Sequence, residues 1–123
     1  MKKVYFFQPN NLNYLFPEPA YWLPYSVACL WSYVREFQDV TENFQCMELG
    51  FKKEMVDKVS RRMAHNPPDI VALSFYVWNT KYNIKLAEKI HQDYPDCKII
   101  IGGPQVNERY LNYEWCNHVI MGE

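Results

Sequence analysis

Glycine is scarce in this chain, with four among 123 residues. No Gly-x-Gly-x-x-Gly follows the first apolar run, which excludes dinucleotide binding in its usual form. No Gly-Lys-Ser/Thr is present, so there is no nucleoside-triphosphate cradle. Close cysteine pairs are also missing: Cys29, Cys46, Cys97 and Cys116 stand too far apart for any Cys-x-x-Cys. Zinc and iron–sulfur sites usually take ligands from such pairs, so no metal site is expected, and the four read as reduced structural thiols. The histidines, His65, His91 and His118, form no His-x-x-x-His or His-Glu pairing. Neither sign of charge dominates, since 13 basic and 14 acidic side chains leave a net charge of −1. That balance argues against a nucleic-acid or acidic-membrane partner. No apolar run approaches the roughly 18 residues that cross a bilayer. Val4 to Phe7 is too short for the core of a signal peptide. The chain reads as soluble and cytoplasmic.

What is present is ample apolar material, at 49% hydrophobic and 17% aromatic, enough to pack one domain. Apolar runs alternate with amphipathic stretches. Strands are expected at residues 3–8, 44–49, 70–75, 98–101 and 118–121. Helices are expected at 24–37, 52–64 and 80–94, with a short helical turn at 108–113. Leu23, Val27, Leu30, Trp31, Val34 and Phe37 form one apolar stripe, and Thr80 is placed to cap its helix. Right-handed crossovers then give an α/β fold with a doubly wound, five-stranded parallel sheet of the flavodoxin or Rossmann type. A closing helix after the last strand is missing from this pattern.

In such sheets ligands sit beyond the carboxyl ends of the strands, where the strand order reverses. Three expected connections meet there: Gln8-Pro9-Asn10, the run from Ser74 to Thr80, and Gly102-Gly103-Pro104-Gln105. Every glycine falls at the carboxyl end of an expected strand. The Gly102-Gly103 pair serves either a tight turn or the close approach of a ligand. Ser74 either satisfies a backbone neighbour or reaches a ligand oxygen. Tyr76 and Trp78, with Asn79, lie just past a strand, where a planar ligand or a partner domain accounts for them better than core packing. The long loop with Tyr14, Phe16, Tyr21 and Trp22 is a candidate lid or docking surface. Acidic residues for a phosphoacceptor are missing at Gln8 and Ser74, and no catalytic constellation can be assembled.

Four segments taken together resemble the N-terminal cobalamin (vitamin B12)-binding domain of cobalamin-dependent radical S-adenosylmethionine (SAM) proteins. They are Leu23-Pro24-Tyr25-Ser26, the run from Asp69 to Asn79, the run from Ile99 to Val106, and the run from Val119 to Glu123. The resemblance spans nearly the whole of residues 1–123. It implies a module that holds the corrin at the carboxyl edge of the sheet, with the nucleotide tail in a slot beside the glycines. Carried over, Ser74 bonds the tail, and Gly102 and Gly103 let it pass, so that a bulky residue at 103 is expected to block it. Tyr76, Trp78, Pro104 and Gln105 lie under or beside the corrin, and Gln8, Pro9, Asn10 and Asn79 join the cofactor-binding set.

The cobalt-ligating Asp-x-His-x-x-Gly of methionine-synthase-type domains is absent, so no histidine from that loop binds cobalt. The cluster-binding Cys-x-x-x-Cys-x-x-Cys is absent as well. The resemblance therefore implies a fragment or a separately encoded domain. A downstream radical SAM barrel would carry S-adenosylmethionine and a 4Fe-4S cluster, and would perform methyl transfer or another radical step. Two rival readings are a structural or interaction domain with a vestigial, ligand-free site, and a small nucleotide-sugar or flavin binder using Gly102-Gly103 and a helix start at Asn107.

Overall fold

The computed structural model describes residues 1–13, 18 and 20–122. In chain order these form β1 (Lys2–Asn10), β2 (Leu12–Asn13), β3 (Ala20–Tyr21), α1 (Tyr25–Val34), α2 (Gln38–Asn43) and β4 (Phe44–Lys52). There follow α3 (Val56–Met63), β5 (Ile70–Ser74), α4 (Thr80–Asp93), β6 (Lys98–Gly102), a 3-10 turn at Glu108–Asn112 and β7 (His118–Val119). Five strands make one sheet in the order β4-β1-β5-β6-β7, with every neighbouring pair parallel. This is the flavodoxin order, and its direction of winding reverses between β1 and β5.

Alternation along the strands gives the sheet two unequal faces. Tyr5, Phe7, Val71, Leu73, Ile99 and Ile101 point to one side. There they pack with Val59 and Met63 of α3 and with Leu86, Ala87 and Ile90 of α4. This is the core. On the other side lie Phe6, Ala72, Ile100 and Gly102, which are all half-buried. α1 covers part of that face, with the Phe6 and Trp31 rings 6.0 Å apart. Of the expected apolar stripe on this helix, Val27 is buried, whereas Leu23, Leu30 and Phe37 are exposed.

Several expectations shift at their edges. β1 runs on to Asn10, which draws Pro9 and Asn10 into the strand. The helix expected to reach residue 37 stops at Val34, because Phe37 turns extended (ψ 127°) and starts α2. α2 has no buried residue and is held by local bonds, including Gln38 Nε2 to Glu42 Oε1 at 2.6 Å. β4 continues to Lys52, so Gly50 lies inside the strand rather than closing it, and α3 begins four residues later than expected. A Cβ on Gly50 would stand 2.3 Å from the Phe7 ring, so packing explains this glycine. Asn79, not Thr80, is the residue that precedes the first turn of α4, and Thr80 donates its hydroxyl to the Tyr76 carbonyl instead (2.7 Å). β7 is two residues long, with Ile120 N–H extending its pairing to the Ile101 carbonyl at 2.8 Å. The long loop contains an antiparallel ribbon in which Leu12 pairs with Tyr21 and Asn13 with Ala20. Tyr14 and Phe16 lie outside the described residues.

Candidate functional site: a cleft at the switch point

The partly covered face opens into a cleft of about 530 Å³. Its floor is Phe6, Ala72 and Ile100, one from each central strand, because residues two apart share a face. Val27, Leu30 and Tyr33 of α1 form one wall, and Ile120 and Gly122 stand at the opposite end. Ser26, Ser74 and Tyr76 bring polar atoms to this apolar lining, and Cys29 adds an exposed thiol. The cleft therefore reaches from the β1/β5 reversal to the glycine doublet.

The two glycines do different jobs. Gly103 has φ +102°, and a Cβ there would lie 2.5 Å from the Phe75 carbonyl oxygen and 2.8 Å from its nitrogen. The loops after β5 and β6 are tied at this point by Phe75 N–H to the Gly102 carbonyl (2.7 Å) and Gln105 N–H to the Phe75 carbonyl (3.3 Å). Backbone contact thus demands glycine at 103 whatever else lies nearby. Gly102 has no such demand. Its Cβ would meet the Ile120 carbonyl oxygen at 3.7 Å, an ordinary contact, so a Cβ fits there and the glycine leaves that point of the cleft lining bare.

Tyr76 and Trp78 stack nearly parallel, with centroids 4.6 Å apart and an interplanar angle of 10°. Tyr76 faces the cleft, and Trp78 backs it. Trp78 Nε1–H donates to Asn10 Oδ1 (3.0 Å), and Asn10 Nδ2 donates to the Trp22 carbonyl (2.9 Å). Lys53 Nζ donates to Asn11 Oδ1 (2.6 Å) and to the Trp78 carbonyl, and burial lowers its pKa. These bonds join the loops after β1, β4 and β5 into one edge.

Asn79 is buried, and its amide is fully committed. Its Nδ2 donates to the Pro9 and Ser74 carbonyls (3.0 Å each), and its Oδ1 accepts from Tyr76 N–H (2.8 Å) and Asn83 Nδ2 (3.2 Å). It clamps the ends of β1 and β5 to the following loop and has no atom left for a ligand. Pro9 and Asn10 are likewise buried. Gln8 turns its oxygen to Ser26, accepting from the backbone N–H (3.0 Å) and from the hydroxyl (2.7 Å).

Of the residues singled out from sequence, Ser74, Tyr76, Gly102 and Gly103 line the cleft. Gln8, Pro9, Asn10 and Asn79 form the hydrogen-bonded layer behind it. Trp78 backs Tyr76, while Pro104 and Gln105 are exposed on the loop beyond Gly103. Sequence reasoning missed Phe6, Ser26, Leu30, Tyr33 and Ile120. The signal for the first was its alternation with Tyr5 and Phe7. For Ser26 it was a hydroxyl within the apolar first turn of a helix.

Asn107 opens a five-residue 3-10 turn, and its Oδ1 is taken by Arg109 N–H (2.9 Å). It therefore offers no long helix N-terminus to a phosphate. Among the described residues no three His, Cys, Asp or Glu side chains cluster as a metal site. Among them, too, no helix is long and apolar enough to cross a membrane. Cys97 and Cys116 are buried free thiols. Burial pushes the Cys97 thiol up to about 12.

No protein-family model matches the chain. It is 28% identical over 112 residues to the cobalamin-dependent radical SAM methyltransferase TokK of Streptomyces tokunonensis. That match covers 91% of this chain and 15% of TokK. Over 127 aligned positions it is 30% identical to the 2-(S-pantetheinyl)-carbapenam-3-carboxylate methyltransferase of Streptantibioticus cattleyicolor, covering 99% of this chain and 17% of that protein. Among solved structures, a cobalamin-binding protein from Desulfitobacterium hafniense has the same fold, with a TM-score of 0.62 at 17% identity. The superposition covers 97% of this chain and 52% of that one. The chain thus spans a small part of its sequence relatives and about half of its structural neighbour.

Proposed function

From a chain related in sequence to part of the cobalamin-dependent radical SAM methyltransferases, with the fold of a cobalamin-binding protein, we infer a corrinoid-binding module. The observation that carries this reading is the apolar cleft at the switch point, kept open at one end by the missing side chain of Gly102. The residues present fit the group. A corrinoid joins a broad disc to a nucleotide that ends in a flat, neutral base. The cleft suits the base, being mostly apolar with the Ser26 and Ser74 hydroxyls among its few polar groups. The stacked Tyr76–Trp78 pair at its mouth, pinned by Asn10 and Lys53, is a rigid ledge for the disc. Gln105 N–H, bonded to the carbonyl of Phe75, ties the exposed Pro104-Gln105 loop to the residue preceding Tyr76.

When bound, the corrinoid would supply a cobalt centre able to carry a methyl group. This chain's residues hold and orient it, and Asn79 keeps the ledge in register with the strands. In the intact protein a radical SAM barrel, with its own S-adenosylmethionine and 4Fe-4S cluster, would be the partner that receives the exposed face of the disc. The module alone catalyses nothing.

Equilibrium dialysis against methylcobalamin tests this. Retention at about 50 µM protein, with a shifted visible spectrum, supports the reading. Absence of both overturns it. That outcome would favour a structural domain whose cleft is covered by polypeptide, a reading supported by the exposure of Leu30, Tyr33 and Ile120.

A further inference from the structure

α1 carries apolar residues on its outer side as well as against the sheet. From Ala20 to Val34 no side chain is charged, and the first charges come at Arg35 and Glu36. The helices on the opposite face of the sheet differ. There α3 and α4 turn Asp57, Lys58, Arg61, Lys81, Lys85 and Glu88 to solvent. A helix that is apolar all round is ordinarily a buried one. Yet Val27 is the only buried residue of α1, while Tyr25, Leu30, Tyr33 and the following Phe37 are between 49% and 77% exposed. At roughly 200 Å² for a fully exposed side chain of this size, the four present on the order of 500 Å². That matches the apolar share, about 65%, of the roughly 800 Å² that each partner gives to a standard interface.

The exposed residues are also ordered. Tyr25, Cys29, Tyr33 and Phe37 follow at steps of four, and the Tyr33 and Phe37 rings meet edge to face at 5.4 Å and 72°. Rows at this step are the ridges by which helices pack together. Cys29, the small member, stands midway between two tyrosines, so this part of the row is symmetric about it. An identical row laid antiparallel across Cys29 sets each Tyr25 against the Tyr33 of the other copy. A parallel pair is disfavoured, because it aligns the helix dipoles and brings Arg35 and Glu36 each beside its own like. In the antiparallel pair those charges meet the uncharged first turn of the other helix.

We propose that α1 is a self-association surface whose occupant is the α1 of a second copy, related by a two-fold axis at Cys29. Ridges of step four on both sides cross at about −50°, with helix axes about 8–10 Å apart. Cys29, exposed in the single chain, lies at the crossing point. Cys29 and Tyr33 also line the cleft, so the second copy stands beside its mouth. The inference does not rest on the corrinoid reading.

Sedimentation velocity on the full chain, in reducing buffer and without corrinoid, tests it and keeps the two readings apart. Dimer is expected to predominate at about 100 µM. Tyr25→Glu should weaken it at least about tenfold, since a carboxylate then faces an apolar row. Glutamate suits the first turn of a helix, so this variant should keep the wild-type urea midpoint. Tyr25→Phe should dimerise within about threefold of the wild type. Diamide, which takes up the two thiol hydrogens as the disulfide forms, should join the Cys29 residues of the two copies. Mass spectrometry of the linked peptides reads the site. Maleimide labelling of Cys29, fast in the dilute single chain, should slow at about 100 µM.

A monomer at about 100 µM overturns the inference and leaves this face to a different polypeptide. So does a Tyr25→Glu variant that dimerises as the wild type does, or a dimer that diamide fails to join through Cys29.

Discussion

The backbone of Gly103 lies against that of Phe75 so closely that a Cβ on the glycine would stand 2.5 Å from the phenylalanine carbonyl oxygen. Its neighbour Gly102 has ordinary room. Gly103→Ala is therefore expected to cost about 2–4 kcal/mol, from a positive φ on a residue with a Cβ together with the clash. Gly102→Ala should change stability by less than about 1 kcal/mol, since a strand interior gains from replacing glycine. Urea unfolding of both variants checks the contrast. Blocking the cleft by substitution must be done at 102, because at 103 unfolding and blocking would be confounded.

Asn79→Ala should destabilise the domain by about 2–4 kcal/mol, as the Tyr76 N–H and the Pro9 carbonyl lose a buried partner. The Ser74 carbonyl keeps its bond from Asn83 Nδ2 (3.0 Å). The same urea experiment measures the loss, and a value below about 1 kcal/mol would contradict the clamp.

The contrast between Asn79 and Gly102 also marks what could be read from sequence. The parallel sheet was legible because strands such as Ile70–Ser74 are short, nearly continuous apolar runs, and α4 shows its 3.6-residue period plainly. α2 was not legible, having no buried residue and being held by its own polar side chains. The convergence of Ser74, Tyr76 and the glycines on one cleft follows from topology, and topology follows from the order of elements. The fate of each amide does not. Asn10 and Asn79 have the composition of ligand-facing residues, and only packing reveals that their hydrogen bonds are spent on backbone and Trp78. Composition likewise does not show that packing alone demands glycine at 50, against the Phe7 ring, and at 103, against the Phe75 backbone.

Stability should fall on the alkaline side. Burial raises the Tyr82 hydroxyl from 10.0 to about 12 and the Cys97 thiol from 9.0 to about 12. Both groups are neutral when protonated, so between their unfolded and folded pKa values the unfolded chain has released protons that the folded one keeps. Stability from these groups is complete below about pH 9 and is lost as pH climbs toward 12. Cys97→Ala should flatten the part of the fall that begins near pH 9, as followed by urea midpoints across that range.

Cys29 should be the first thiol modified by a maleimide in the native protein, because it is exposed while Cys97 and Cys116 are buried. It lines the cleft, so saturating methylcobalamin should slow its modification by at least about threefold. Mass spectrometry of the labelled peptides gives the rates. Protection of Cys46 instead would place the ligand on another surface.

The most direct measurement is a methylcobalamin titration of the wild type beside Gly102→Val, with each protein's urea midpoint in hand. If the vacancy left by that glycine is where the nucleotide enters, the wild type will show a saturable change in the visible bands. The valine variant, equally stable, will then bind at least about tenfold more weakly. Equal titration curves for the two proteins would mean that the cleft takes no part in holding the cofactor.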